Sequence, residues 1–253
     1  MILTFFGTGT STGVPVIGCQ CATCQSTDPH DKRLRTSAYI ETPNANILID
    51  AGPDFRQQML VNGKSDITAV LLTHIHYDHV GGLDDLRGVN YSQRHGIEIY
   101  ARPDVADAVK KNLYYAFSEH PYPGAPRMTL HPISLDPFKI ADVRITPLPV
   151  MHANLPIVGY RINDLGYITD AKTISASTIE LLRGVRTLVL NALAPLEHPA
   201  HLSLQAAIEI AREVKAERTY FTHISHNMGL QSVVGPTLPE NMCLAYDGLR
   251  VEV

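Results

Sequence analysis

Apolar residues fall in short runs along the whole chain, each closed by glycine, proline, asparagine or aspartate. Twelve runs read as β-strands: ILTFF (2–6), SAYIET (37–42), NILID (46–50), TAVLLT (68–73), IEIY (97–100), VRITPLPV (143–150), VGYRI (158–162), GYIT (166–169), TLVLNA (187–192), TYFTH (219–223), MCLAYD (242–247) and LRVEV (249–253). Between them, the spacing predicts helices over 83–94, 103–117 and 175–183. The clearest helix opens at Ser203, a good N-cap, and sets Leu204, Ala207, Ile208, Ala211 and Val214 on one face.

The order of elements carries a faint internal echo. ANILIDAGPDFRQQML leads into the strand ITAVLLTH, and LGYITDAKTISASTIELL leads into VRTLVLNA. Each half has a strand ending in aspartate (Asp50, Asp170), a turn, a helix and another strand, which predicts two similar layers. Functional residues then gather where strands end, and His74, Asp170 and His223 stand at such ends. No linker divides residues 1–253, so a single domain is expected.

Composition narrows the class. Apolar residues make up 45% of the 253 positions and charged residues 18%, enough for a substantial core and unlike a disordered chain. The net charge of −4 and the lack of any Lys/Arg block argue against extended nucleic acid as a partner. MILTFFGTGTSTG has no basic leader, and its apolar run is too short for a signal peptide or a membrane span. The expected setting is cytoplasmic, away from any membrane.

Two clusters carry chemistry. LLTHIHYDHVGG packs His74, His76, Asp78 and His79 into six positions after an apolar strand. In extended chain His74 and His76 point the same way, while Asp78 and His79 follow the turn and face another point. Four ligands arranged as two pairs suit two ions better than one, and imidazole with carboxylate suits zinc, iron or manganese. The second cluster is GCQCATCQ, with three of the four cysteines at 19, 21 and 24. Such close spacing disfavours disulfides and favours thiolates converging on zinc, a knuckle at 18–25. The residues alone allow His226, Cys243 or His30 as the fourth ligand, although Cys243 is expected to pack inside the strand MCLAYD.

THIHYDHVGG with LIDAG upstream resembles the metallo-β-lactamase superfamily. Within it, GTGTSTGVPVIGCQCATC and FTHISH are similar to the PhnP-type cyclic phosphodiesterases, which open phosphoribosyl 1,2-cyclic phosphate in phosphonate breakdown. The resemblance implies an α/β fold, an αββα sandwich of two packed mixed sheets flanked by helices. It implies His74, His76 and His152 on one catalytic metal, Asp78, His79 and His223 on the other, and Asp170 bridging them. The two catalytic ions would be zinc or manganese. A structural zinc would sit on Cys19, Cys21, Cys24 and His226, bracing the loop that carries His223.

Among the remaining residues, a leaving alkoxide needs a proton donor, and LEHPAHLSLQ offers His198 and His201. The family position is His201. His201 and Asp78 are therefore taken as the catalytic side chains, with His198 the alternative donor. Asp50 is expected to orient the metal loops, and Lys172 to approach a substrate phosphate, although TDAK departs from the family's more usual SDT. The aromatic stretch 112–128 reads as a helix end packed on the core, or alternatively as a lid. The expected activity is hydrolysis of a small cyclic phosphodiester, and a homodimer is compatible with it. Two rivals are an RNA-processing phosphodiesterase of the same superfamily and a non-hydrolytic protein like pyrroloquinoline quinone biosynthesis protein B.

Overall fold

Two sheets lie face to face, and the echo in the sequence is their shared topology. The computed structural model describes all 253 residues. Strands β1 (Ile2–Gly7), β2 (Ser37–Glu41), β3 (Asn46–Ile49), β4 (Ala69–Leu71), β5 (Ile97–Ala101) and β6 (Met128–Pro132) form the first sheet. The second holds β7 (Phe138–Ile140), β8 (Val143–His152), β9 (Leu155–Ile162), β10 (Leu165–Ile168), β11 (Thr173–Ile174), β12 (Thr187–Asn191), β13 (Arg218–Thr222) and β14 (Met242–Leu244). The last strand, β15 (Arg250–Glu252), returns to pair with β1.

In both sheets the path runs through antiparallel pairs and then parallel ones: β1–β2–β3 then β4–β5–β6, and β8–β9–β10 then β12–β13–β14. β3 and β10 occupy equivalent places. Asp50 and Asp170 follow them, each with φ of 59°.

Alternation along each strand divides its side chains between two cores. Ile47 and Ile49 point between the sheets with Leu3, Phe5, Tyr160 and Tyr167, while Leu48 points outward with Tyr39, Phe55 and Leu86. Because both faces of these strands are covered, they read as continuous apolar runs. Helices α1 (Ala22–Gln25), α2 (Phe55–Val61), α3 (Tyr77–Val80), α4 (Leu86–Gln93), α5 (Pro103–Asn112), α6 (Ala176–Leu182), α7 (Leu204–Val214) and α8 (Gln231–Val234) complete the chain. α2, α4 and α5 cover the first sheet, and α6 and α7 the second, giving four layers, αββα. The Ser203 side chain caps α7 by accepting from the Ala206 N–H, and Ala207, Ala211 and Val214 are its buried stripe.

All twelve expected strands are present, and β6, β7 and β11 are additional. MTLHP, FKI and TI are short and polar-studded, and β6 is an edge strand, so none carries the signature of a covered strand. The helix expected over 103–117 stops at Asn112, followed by a 3₁₀ turn at Tyr114–Ala116. Cys243 lies in β14 as expected but faces solvent, because β14 is the edge of its sheet. No helix is long and apolar enough to cross a membrane.

Candidate metal centre

The parallel strands of both sheets end at one edge of the sandwich, and the histidine cluster is assembled there. After β4 the chain runs extended through Thr73–His76, then makes the single turn α3, so His74 and His76 precede the turn and Asp78 and His79 lie on it. Gly52 and Gly82 let this turn sit tightly, since a Cβ on Gly52 would fall 2.0 Å from the Asp78 carbonyl oxygen. His152 is the last residue of β8 and faces Leu155 across a tight hairpin. Asp170 and His223 follow β10 and β13 in left-handed backbone, φ 59° and 55°, conformations costly for non-glycine residues and typical of functional sites.

The ligand atoms form two adjoining sets. Those of His74, His76 and His152 lie within 4.8 Å of one another, as do those of Asp78, His79, Asp170 and His223. Asp170 also groups with His152 and His201, placing its carboxylate between the sets. His79 Nε2 lies 3.2 Å from Asp78 Oδ2 and 3.3 Å from Asp170 Oδ2, and His223 Nε2 lies 3.0 Å from Asp170 Oδ1.

Asp50 sets the ring orientations from behind. Its carboxylate accepts from the Thr73 N–H (2.8 Å), the Thr73 hydroxyl (2.8 Å) and His79 Nδ1 (2.7 Å). With its proton given to Asp50, the Thr73 hydroxyl accepts from His74 Nδ1 at 3.0 Å. One carboxylate thus fixes a histidine of each set with its Nε2 lone pair turned into the site. His152 Nδ1 donates to the Ala200 carbonyl at 2.8 Å, with the same consequence.

The side chains fit a cation. His74 Nε2 is buried without a hydrogen-bond partner, and His79 Nε2 and His223 Nε2, although 3.0–3.3 Å from carboxylate oxygens, make no aligned hydrogen bond, an expensive arrangement unless the lone pairs ligate. Burial pushes the Asp170 carboxyl up, but the charges of His223 and His79 outweigh it and hold the group well below the usual range. Conversely, burial pushes the His223 imidazole down, yet Asp170 and Asp78 bring it up to about 9. The Asp78 and Asp170 carboxyls are therefore ionised, and a divalent cation would bind by displacing protons from His79 and His223, the two histidines whose imidazoles these carboxylates push up.

Cys19, Cys21 and Cys24 converge with His226 in a group that could hold an ion. Cys19 Sγ and Cys21 Sγ lie 3.3 and 3.4 Å from His226 Nδ1, and Cys24 Sγ completes the group. The Val16 N–H points at Cys24 Sγ (3.3 Å) and the Cys24 N–H at Cys21 Sγ (3.4 Å), a setting that stabilises thiolates. The Cys24 N–H, then His226, lowers the Cys21 thiol to about 6, while burial pushes Cys24 up to about 11. Of the three candidate fourth ligands, only His226 is in place. His30 instead pairs with Asp28 and packs against Tyr246, and Cys243 lies on the far edge strand.

His201 stands beside the centre, its Nδ1 3.8 Å from Asp170 Oδ1 and its ring stacked on His223 at 4.8 Å. Burial, then the charge of His223, pushes its imidazole down to about 3. His198 is farther out and accepts from the Ala200 N–H in a local turn. Lys172 pairs with Glu197 at 2.7 Å rather than standing free for a phosphate. The 112–128 stretch is tied to the outer helices, through the Tyr115 hydroxyl on Asp84 and Arg87 on Tyr122, and Leu113 and Phe117 pack on the core.

The profile of the Beta-lactamase superfamily domain matches residues 45–224. The chain belongs to the metallo-β-lactamase superfamily. The crystal structure of a new diphosphatase from the PhnP family superposes with a TM-score of 0.93 at 37% identity, covering 100% of this chain and 97% of that one. An octanoyltransferase of Porphyromonas gingivalis is 44% identical over 247 residues, covering 96% of this chain and 50% of that protein. The chain thus spans about half the length of that relative. Zinc-bound PqqB from Methylobacterium extorquens shares the fold, with a TM-score of 0.80 at 19% identity, covering 100% of each chain. Metallo-β-lactamase superfamily proteins are generally metal-dependent hydrolases, and this chain brings together His/Asp groups that could hold divalent metal.

Sequence reasoning foresaw an orienting role for Asp50 but not Thr73, which relays Asp50 to His74. Asp50→Asn puts an amide donor where three donors already point, so His79 loses its fixed tautomer. Affinity of the centre for divalent metal is expected to fall by about 10–100-fold, measured by chelator competition.

Proposed function

We propose that the chain is a dinuclear metal-dependent phosphodiesterase acting on a small cyclic phosphodiester. The observation that carries this reading is the pair of adjoining ligand sets with the Asp170 carboxylate between them. His74, His76 and His152 would hold one divalent cation, Asp78, His79 and His223 the other, and Asp170 both. Such a pair neutralises charge on phosphoryl oxygens and lowers the pKa of water to yield a nucleophile.

The protein's own groups do the rest. Asp50 and Thr73 hold the ligand rings still, and His201 protonates the departing oxygen. The negative charge of a bound phosphodiester, added to Asp170, offsets the burial that otherwise keeps His201 neutral. Cys19, Cys21, Cys24 and His226 would hold a structural zinc that braces the His223 loop. The mild net charge suits a small substrate better than a polymer.

The test is kcat/KM of one metal-loaded preparation across cyclic phosphodiesters (phosphoribosyl 1,2-cyclic phosphate among them), diphosphates, phosphomonoesters, thioesters and β-lactams. Cyclic phosphodiesters are expected to lead. The octanoyltransferase relative, of which the chain covers half, favours a second reading, action on an octanoyl group, and fast cleavage of octanoyl esters or thioesters with inert phosphodiesters would support it instead.

A further inference from the structure

A cleft of about 620 Å³ opens beside the metal centre, and His201 belongs to both. The cleft is lined by the Thr10–Thr12 loop, the stretch 193–198, His201 and Ser225–Asn227. The volume suits a sugar or a nucleoside. None of its lining residues is a lysine or arginine. Its single carboxylate, Glu197, is engaged by Lys172 and by the Ser203 hydroxyl. A second phosphate is best held by a guanidinium or ammonium group; none lines the cleft, and the Lys172 ammonium at its edge is already paired with Glu197. Hydroxyls of the 10–12 loop and the exposed amide of Asn227 offer neutral hydrogen bonding, beside an apolar surface at Pro195 and Leu196. Asn227 is held by its backbone N–H on Ser225 Oγ (3.2 Å), which leaves the side chain for a ligand.

We infer that this cleft receives the leaving alcohol of the phosphodiester, and that this alcohol is a neutral, hydroxyl-rich group. The inference rests on the phosphodiesterase reading, with His201 as proton donor. A donor must adjoin the oxygen it protonates, so the alcohol departs on the side of His201 that faces the cleft. One P–O bond forms from water and the bond to the alcohol breaks. The His201 proton ends on the alcohol oxygen, and the proton lost by water restores His201. His226, held by the thiolate cluster, forms part of the cleft wall, so the knuckle also shapes the alcohol site.

A cyclic diester tests this directly, because either ring oxygen can leave. Cytidine 2′,3′-cyclic phosphate is hydrolysed by metal-loaded protein, and ³¹P NMR counts the 2′ and 3′ monophosphates. The wild type is expected to release one isomer in excess of about 10:1. Asn227→Ala and Thr10→Val each remove one hydrogen bond, and each should erode that ratio by about 2–10-fold with metal content retained. Adding a 5′-phosphate to the substrate should bring no gain in kcat/KM. An unchanged ratio in both variants, or a tenfold gain from the 5′-phosphate, overturns the inference while the phosphodiesterase reading stands. A wild type inert to every phosphodiester overturns both.

Discussion

His201→Ala is expected to lower kcat for a phosphodiester with an alkyl leaving group by about 10²–10⁴ while the catalytic ions stay bound. The His201 Nδ1 lies 3.8 Å from Asp170 Oδ1, its ring stacks on His223, and its other side faces the cleft. An alkoxide is a poor leaving group, so removing the proton donor falls on the bond-breaking step. A p-nitrophenolate leaves without a proton, so the loss should shrink with that ester. Kinetics across leaving groups, with elemental analysis of each preparation, check this. His201 also lies within ligand distance of His152 and Asp170. Loss of a catalytic ion in the variant would therefore make His201 a ligand, and an equal loss for every leaving group would make it a positioning residue. An unaffected variant would transfer the role to His198.

Cys21→Ser should remove the knuckle ion and destabilise the whole chain. Serine cannot supply a thiolate, and Cys21 also caps α1, accepting the Cys24 N–H at 3.4 Å. Binding at a structural zinc site is folding free energy. The penalty is expected to reach about 4 kcal/mol or more. For a chain of this size that corresponds to a Tm lower by roughly 8–16 °C. The damage should also reach the catalytic centre, because His226 and His223 are three residues apart. The segment between them is pinned by Ile224 N–H on the Thr8 carbonyl (2.8 Å) and Ser225 N–H on the Leu193 carbonyl (2.9 Å). Elemental analysis and a thermal melt decide the matter. Full metal content with an unchanged Tm would show that the thiolate cluster braces nothing.

The sequence by itself determined whatever chemistry is local. His74, His76, Asp78 and His79 lie within six residues, so the turn between them splits them into two pairs whatever surrounds them. The cysteines at 19, 21 and 24 are equally self-contained, and the covered strands announce themselves because both faces must be apolar. Asp50 and Asp170 were legible as an echo because the chain repeats one strand–helix–strand unit.

Tertiary structure alone decided the rest, because those pairings join residues far apart along the chain. His226 completes the knuckle across 207 positions from Cys19, while His30, far nearer in sequence, turns to Tyr246. His201 rather than His198 reaches Asp170 because the 193–204 segment is tied to the Asp170 loop through the Leu202 N–H on the Ala171 carbonyl. The Asp50–Thr73–His74 relay and the cleft without lysine or arginine depend on three-dimensional packing, which local spacing does not record. Edge strands such as β6 escaped for the complementary reason: with one side unpaired and half their side chains wet, they need no apolar pattern.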